Sequence, residues 1–297
     1  MVDSEQDHSA GRTADGKRRF LFEDMDLRGE LVQLEGTLAD IEARHSYPGG
    51  VRALLGEFVT AAVLLASTLK FRGTLTVQAR SPAQVPLIMA ECSSTLEVRA
   101  IARGAGDARG ESFDELLGGG QLVLTVTPER GRRYQGIVPL EGNSLASCLD
   151  RYFEQSEQLH TRVFIACSGD RSAGLLLQQL PTQRVLDPAL REEHWQRISL
   201  LAGTLSDEEL LQLGQQELLG RLFHEETLRL FNMEPVRFSC SCSEERTLAA
   251  LATIGQAEID SILAEQGSVT MDCEFCNQRY VFSEAALSNL SRGETLH

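Results

Sequence analysis

"RALLGEFVTAAVLLASTLKFRGTLTVQAR", Arg52 to Arg80, changes its texture near Gly73. Up to Phe71 apolar residues lie nearly all round a helix, which predicts a mostly buried helix and not an amphipathic surface one. From Gly73 onward the residues read as a strand. More strands follow between Gly, Pro and polar turns: "LIMAEC" (Leu87–Cys92), "LEVRAIAR" (Leu96–Arg103), "QLVLTVTP" (Gln121–Pro128) and "YQGIVPL" (Tyr134–Leu140). "SLASCLDRYFEQSEQL" (Ser144–Leu159) returns to helical spacing, and "TRVFIACS" (Thr161–Ser168) and "AGLLLQQLP" (Ala173–Pro181) supply two strands more. The predicted class is α+β: an N-terminal domain over 20–186 with a largely antiparallel twisted sheet and packed helices.

The 297 residues suffice for one large domain or two modest ones, and 42% hydrophobic with 24% charged is an ordinary globular balance. Acidic residues number 43 against 28 basic ones, a net charge of −15. Nucleic-acid affinity comes largely from Lys and Arg on phosphates, so such a partner is not expected. "MVDSEQDHSAGRTADGKRR" is polar throughout, so residues 1–19 are expected to be disordered and to carry no secretory h-region. No membrane span is expected either, and the predicted location is the cytoplasm.

Between Pro181 and Pro188 the composition turns to Leu, Glu and Gln, and residues 187–235 read as a helical linker. Ser206 with Glu209 three residues on forms a capping box. Leu211, Leu218, Leu222 and Phe223 make an apolar stripe, and Trp195 is an expected anchor onto the core. Helices this short are unstable alone and must dock on something.

A small module, 236–290, and a tail, 291–297, complete the chain. In the module "FSCSCSEERT" (Phe238–Thr247) carries Cys240 and Cys242, and "MDCEFCNQRYVF" (Met271–Phe282) carries Cys273 and Cys276. Two close thiol pairs are the usual donor set of a tetrahedral structural Zn²⁺ site, so all four are predicted ligands of one ion. Two helices, "SEERTLAALATIG" and "QAEIDSILAEQG", are expected to stop at Gly255 and Gly267. A module of this size with few apolar side chains can hardly fold without its metal. The same thiols bear on oxidation. Disulfides need Cα atoms about 4.4–6.8 Å apart, and an i, i+2 pair in extended chain lies near the upper limit. A Cys240–Cys242 bridge therefore needs a bend, whereas Cys273 and Cys276 are well placed, and four cysteines allow three pairings. A purely structural clip serving a constitutive binding protein or an enzyme is the alternative.

Long motifs in order, "YPGGVRALLGEF", "TLKFRGTLTVQ", "RYQGIVPLEGNSLASCLDRYFEQSEQLHTR", "RLFHEE" and the final C-x-C and C-x-x-C, resemble the bacterial heat shock protein 33 family of redox-regulated chaperones. The resemblance covers Phe20 to about Leu290. It implies an ATP-independent holdase with a metastable linker, inactive while reduced and zinc-bound. Oxidation would convert the ligands to the disulfides Cys240–Cys242 and Cys273–Cys276, expel zinc, and unfold switch and linker. Implied partners are unfolding client proteins, a second copy when oxidised, and downstream ATP-dependent foldases. Many relatives carry Gly after the C-x-x-C; here Asn277 stands, a residue that tolerates a left-handed turn.

No paired nucleophile and base, and no cofactor loop, point to an enzyme. "LLGGGQLVL" lacks the Lys-Ser/Thr of a phosphate loop and reads as a turn before a strand. Cys92, Cys148 and Cys167 are expected core residues, and His45, His160, His194 and His224 are scattered without ligand spacing.

Overall fold

The computed structural model describes residues 15–70, 72–156, 159–251 and 256–290. By contacts the chain divides into two compact units, residues 1–238 and 239–297. The first runs β1 (Gly16–Phe22), β2 (Leu27–Leu34), α1 (Gly36–Glu42), α2 (Gly49–Thr68), β3 (Gly73–Arg80), β4 (Leu87–Ser93), β5 (Glu97–Arg103) and α3 (Phe113–Leu117). It continues through β6 (Gln121–Pro128), β7 (Tyr134–Pro139), α4 (Leu145–Ser156), β8 (Thr161–Ser168), β9 (Arg171–Gln179), α5 (Pro188–Ala202), α6 (Asp207–Gln212) and α7 (Gln215–Leu222). Short strands β10 (Leu228–Leu230), β11 (Glu234–Pro235) and β12 (Arg237–Phe238) close it.

The class is α+β, as expected, but there are two large sheets where one was predicted. One has the order β10-β1-β2-β9-β8, with β11 also pairing β1; the other has β12-β5-β4-β3-β6-β7. The pairings in both are antiparallel except β12 with β5. Helix α2 packs against β2, β8 and β9 of the first sheet and β3, β4 and β5 of the second. A helix with a sheet on either side keeps little wet face, here Arg52 and its neighbours near the start, which is why its apolar residues run nearly all round. On length and a mean hydropathy of 1.5, α2 is long and apolar enough to cross a membrane, contrary to the sequence expectation. Its apolar surface, buried between the sheets, accounts for that composition.

The first sheet is covered on its other face too. Val32 and Leu176 point into the core around α2, whereas Leu31, Leu175 and Leu177 point into a second core with Trp195, Ile198, Leu210, Leu218, Leu222 and Phe223. Side chains alternate across a strand, so the unbroken Leu175–Leu177 run is what a strand buried on both faces requires. Trp195 is buried, as an anchor should be. Of the predicted stripe, Leu218, Leu222 and Phe223 are buried and Leu211 is partly so. The capping box is made: Glu209 N–H donates to Ser206 Oγ at 3.2 Å, and Ser206 N–H donates to Glu209 Oε2 at 3.2 Å.

Two boundaries need correction. Strand β1 starts at Gly16, so residues 16–19 are not disordered; residues 1–14 lie outside the described residues. The charges that disguised this strand are paired: buried Lys17 lies 3.6 Å from the fully buried Glu30 and 2.6 Å from Glu234, and Arg19 lies 2.7 Å from Glu30. The linker, likewise, is not helical to its end. Residues 228–230 and 234–235 are extended and pair with β1, Leu228 opposite Phe22 and Glu234 opposite Lys17. Pairing with an otherwise bare sheet edge, which periodicity in one segment cannot reveal, sets their conformation.

Glu57, on α2, is pushed up to about 7 by burial, with like-charge repulsion from Asp207 at the start of α6 adding to the shift. Because the folded-state value lies above the ordinary carboxylate one, the protonated form favours the fold; that contribution is complete below about pH 4.5 and is lost as pH rises through 7. Glu57→Gln should therefore stabilise the first unit by about 1–2 kcal/mol at pH 8 and by almost nothing at pH 4.5. Thermal melts of both proteins at the two pH values give the answer; an equal shift at both would contradict the assignment.

Candidate metal centre

The second unit consists of α8 (Glu244–Leu251), α9 (Gln256–Gln266), the hairpin of β13 (Ser268–Asp272) and β14 (Arg279–Ser283), and α10 (Glu284–Leu290). Its core among the described residues is five buried apolar side chains: Leu251, Ile259, Val269, Phe282 and Leu287. Helix α9 ends where expected, at Gly267 with φ +74°, whose N–H donates to Leu263 O at 2.8 Å. The predicted stop at Gly255 lies outside the described residues.

The hairpin places the second thiol pair. Asp272 stands opposite Arg279 in register, and their side chains pair at 2.8 and 3.0 Å. Between them the chain must reverse within Cys273–Gln278. Cys273 N–H donates to Gln278 O at 2.9 Å, and Asn277 N–H donates to Cys273 O at 2.8 Å. Asn277 takes φ +58°, the left-handed turn that the sequence reading assigned to this position. The first pair precedes α8, and Arg246 of that helix donates to Ser241 O at 2.6 Å, tying down the loop between Cys240 and Cys242.

All four sulfurs lie within 4.8 Å of one another. Cys240 Sγ is 3.7 Å from Cys273 Sγ, and Cys242 Sγ is 3.4 Å from Cys276 Sγ. A tetrahedral ion with metal–sulfur bonds of about 2.3 Å needs its sulfurs about 3.8 Å apart. The cluster therefore matches the shape of a tetrahedral thiolate site, and it can hold a metal ion. Four soft donors suit Zn²⁺, Cu⁺ or an iron–sulfur group better than a hard cation such as Mg²⁺. Burial pushes the Cys273 and Cys276 thiols up, and for Cys276 hydrogen bonding with the neighbouring thiols adds to it. A divalent cation reverses that preference by binding thiolate, so loading releases protons.

The remaining candidates stay apart. Cys92 and Cys148 are buried, and burial pushes Cys92 and Cys167 up to about 12, which makes them poor nucleophiles. His160 stacks on Trp195 at 5.7 Å between ring centres, a packing role. The glycine run after α3 is a turn, with Gly119 at φ +70°. One contributor went unseen in the sequence: Tyr280, on β14, whose hydroxyl donates to Cys242 Sγ at 3.2 Å. An aromatic in a strand reads as packing, and only the folded hairpin brings its hydroxyl to a sulfur.

A protein-family model described as "Hsp33 protein" matches residues 15–283. The chain belongs to the Hsp33 family. Hsp33 relatives cover nearly its whole length. It is 51% identical over 283 residues to the 33 kDa chaperonin of Pseudomonas paraeruginosa, covering 94% of this chain and 95% of that one. It is also 51% identical over 282 residues to the 33 kDa chaperonin of Azotobacter vinelandii, with the same coverage. Among solved structures, that of the 33 kDa chaperonin (heat shock protein 33 homolog) from Thermotoga maritima superposes with a TM-score of 0.76 over 94% of this chain and 98% of that one. At 20% identity that likeness speaks for the Hsp33 fold.

Proposed function

We propose that this chain is a redox-regulated, ATP-independent chaperone that holds unfolding proteins and prevents their aggregation. The observation that carries the reading is the cluster of four sulfurs within 4.8 Å in a unit whose described core is five apolar side chains. Such a unit depends on its metal. On this reading Cys240, Cys242, Cys273 and Cys276 hold one Zn²⁺ in the reduced state, the ion cross-linking the two ends of the unit. Oxidation of the four thiols by a peroxide or hypochlorous acid forms Cys240–Cys242 and Cys273–Cys276. Both short sulfur–sulfur contacts, Cys240 to Cys273 and Cys242 to Cys276, run between the pairs. The local bridges therefore suit a module that has already lost its fold, since each closes within a few residues.

The linker is the second moving part. Leu218 of α7 and Phe223 just after it are buried with Phe20, Phe22 and Leu31, and the chain continues from β12 straight into Cys240. Once the linker leaves, that apolar face becomes available to clients. Residues 16–186 serve as the substrate-holding core, 187–235 as the metastable linker and 236–290 as the switch. The oxidised form pairs with a second copy, and clients pass to ATP-dependent foldases. The working compartment is the cytoplasm, with neither membrane nor nucleic acid as partner, and no chemical turnover is involved.

The test pairs two readings during treatment with peroxide and mild heat: released Zn²⁺ and light scattering from a heat-unfolding client. One equivalent of zinc should leave, four thiols should disappear, and suppression of scattering should begin together with them. Full suppression by reduced, zinc-loaded protein would sink the proposal.

A further inference from the structure

We propose that Tyr280 is a positioning residue of the four-sulfur cluster, its hydroxyl donating to Cys242 Sγ and holding that sulfur back from oxidants. The Oη–Sγ distance is 3.2 Å. Tyr280 sits in β14 opposite Met271 of β13, and its ring packs on the small core of the unit, so the hydroxyl is aimed by the hairpin itself. The second pair is served differently. Cys273 accepts from the backbone N–H groups of Phe275 and Cys276, and Cys276 accepts from that of Gln278. Those donors belong to the turn and are present whatever the side chains. The donor to Cys242 is a side-chain hydroxyl, which a single substitution can remove.

A donor on a thiolate draws electron density from sulfur, and groups just outside the ligand shell tune a metal site in this way. In oxidation by a peroxide, one sulfur attacks a peroxide oxygen and the O–O bond breaks, leaving sulfenic acid and hydroxide. A second sulfur then attacks the sulfenic sulfur, the S–S bond forms, and a second hydroxide leaves. Two protons taken up from solvent, matching those released when the metal was bound, convert both hydroxides to water, and the two electrons lost by the sulfurs have reduced the peroxide. Cys242 keeps a further lone pair for either attack, but the hydrogen bond from Tyr280 lowers the electron density at that sulfur and so its rate of attack.

This inference rests on the proposed switch for its oxidant, while the hydrogen bond can be read without it. The experiment uses the full chain, reduced and loaded with Co²⁺ in place of the native ion, as wild type, Tyr280→Phe and Tyr280→Leu. Tyr280→Phe keeps the ring and removes only the hydroxyl. It should shift the sulfur-to-cobalt charge-transfer band, and Cys242 should be oxidised by peroxide about tenfold faster, scored cysteine by cysteine by alkylation and mass spectrometry. If Tyr280→Phe matches wild type in band and rate, with or without a change in Tyr280→Leu, the hydroxyl has no such role and the proposal falls. If peroxide leaves the metal in place in wild type, the switch reading fails instead. The cobalt band then decides alone: shifted in Tyr280→Phe it upholds the hydrogen bond, unshifted it overturns it.

Discussion

Cys276→Ser should abolish stoichiometric Zn²⁺ binding and unfold residues 239–290 while leaving the two-sheet unit intact. The substitution removes one sulfur from a set whose members lie within 4.8 Å, so a hard, weakly coordinating hydroxyl would face a site shaped for soft donors. Four-thiolate zinc contributes on the order of 10–16 kcal/mol of apparent binding energy at neutral pH, and in a small metal-dependent module that energy is folding energy. Whole domains are stable by only about 5–15 kcal/mol, so the five-residue core has nothing to offset the loss. Amide hydrogen exchange should show protection vanishing across the hairpin β13–β14 and helix α9, with the strands flanking α2 unchanged. Metal analysis of the same sample should find far less than one equivalent. Retained protection in metal-free protein would mean that the unit folds unaided, and the ion would then be no switch.

The second large effect is expected at Phe223, far along the sequence from the thiols. Its ring, 1% exposed, lies 6.1 Å from that of Phe20 and 5.2 Å from that of Phe22, edge-on to the latter. Removing a buried Phe side chain costs about 3–5 kcal/mol through lost burial and the cavity left behind. Helices α6 and α7 have six and eight residues and cannot persist once detached. Phe223→Ala should therefore loosen residues 188–235 in protein that is still reduced and fully metal-loaded. Hydrogen exchange should rise there first, and the variant should suppress client aggregation without oxidant. A variant as inert as wild type despite a loosened linker would show that the face beneath is not where clients bind.

The clustering of Cys240, Cys242, Cys273 and Cys276 was legible from spacing alone, because two close pairs of thiols are what a tetrahedral thiolate site uses. Asn277 announced the turn, because few residues adopt φ near +58° without strain. The strands from Gly73 to Pro139 and the buried helix were legible from pattern, which is local. Strand β1 was not, because Lys17 and Arg19 look like solvent-exposed charges until Glu30 and Glu234 come from elsewhere to meet them. Nor were the extended ends of the linker, whose conformation depends on a partner edge more than 200 residues away. The sequence by itself determined the α+β class and the position of the four-sulfur cluster. Tertiary structure alone decided that two sheets enclose α2, that the linker returns to β1, and that a tyrosine hydroxyl rests on Cys242. The physical reason is range: ligand type and backbone period are properties of neighbouring residues, whereas pairing, burial and hydrogen bonding belong to residues that only folding brings together.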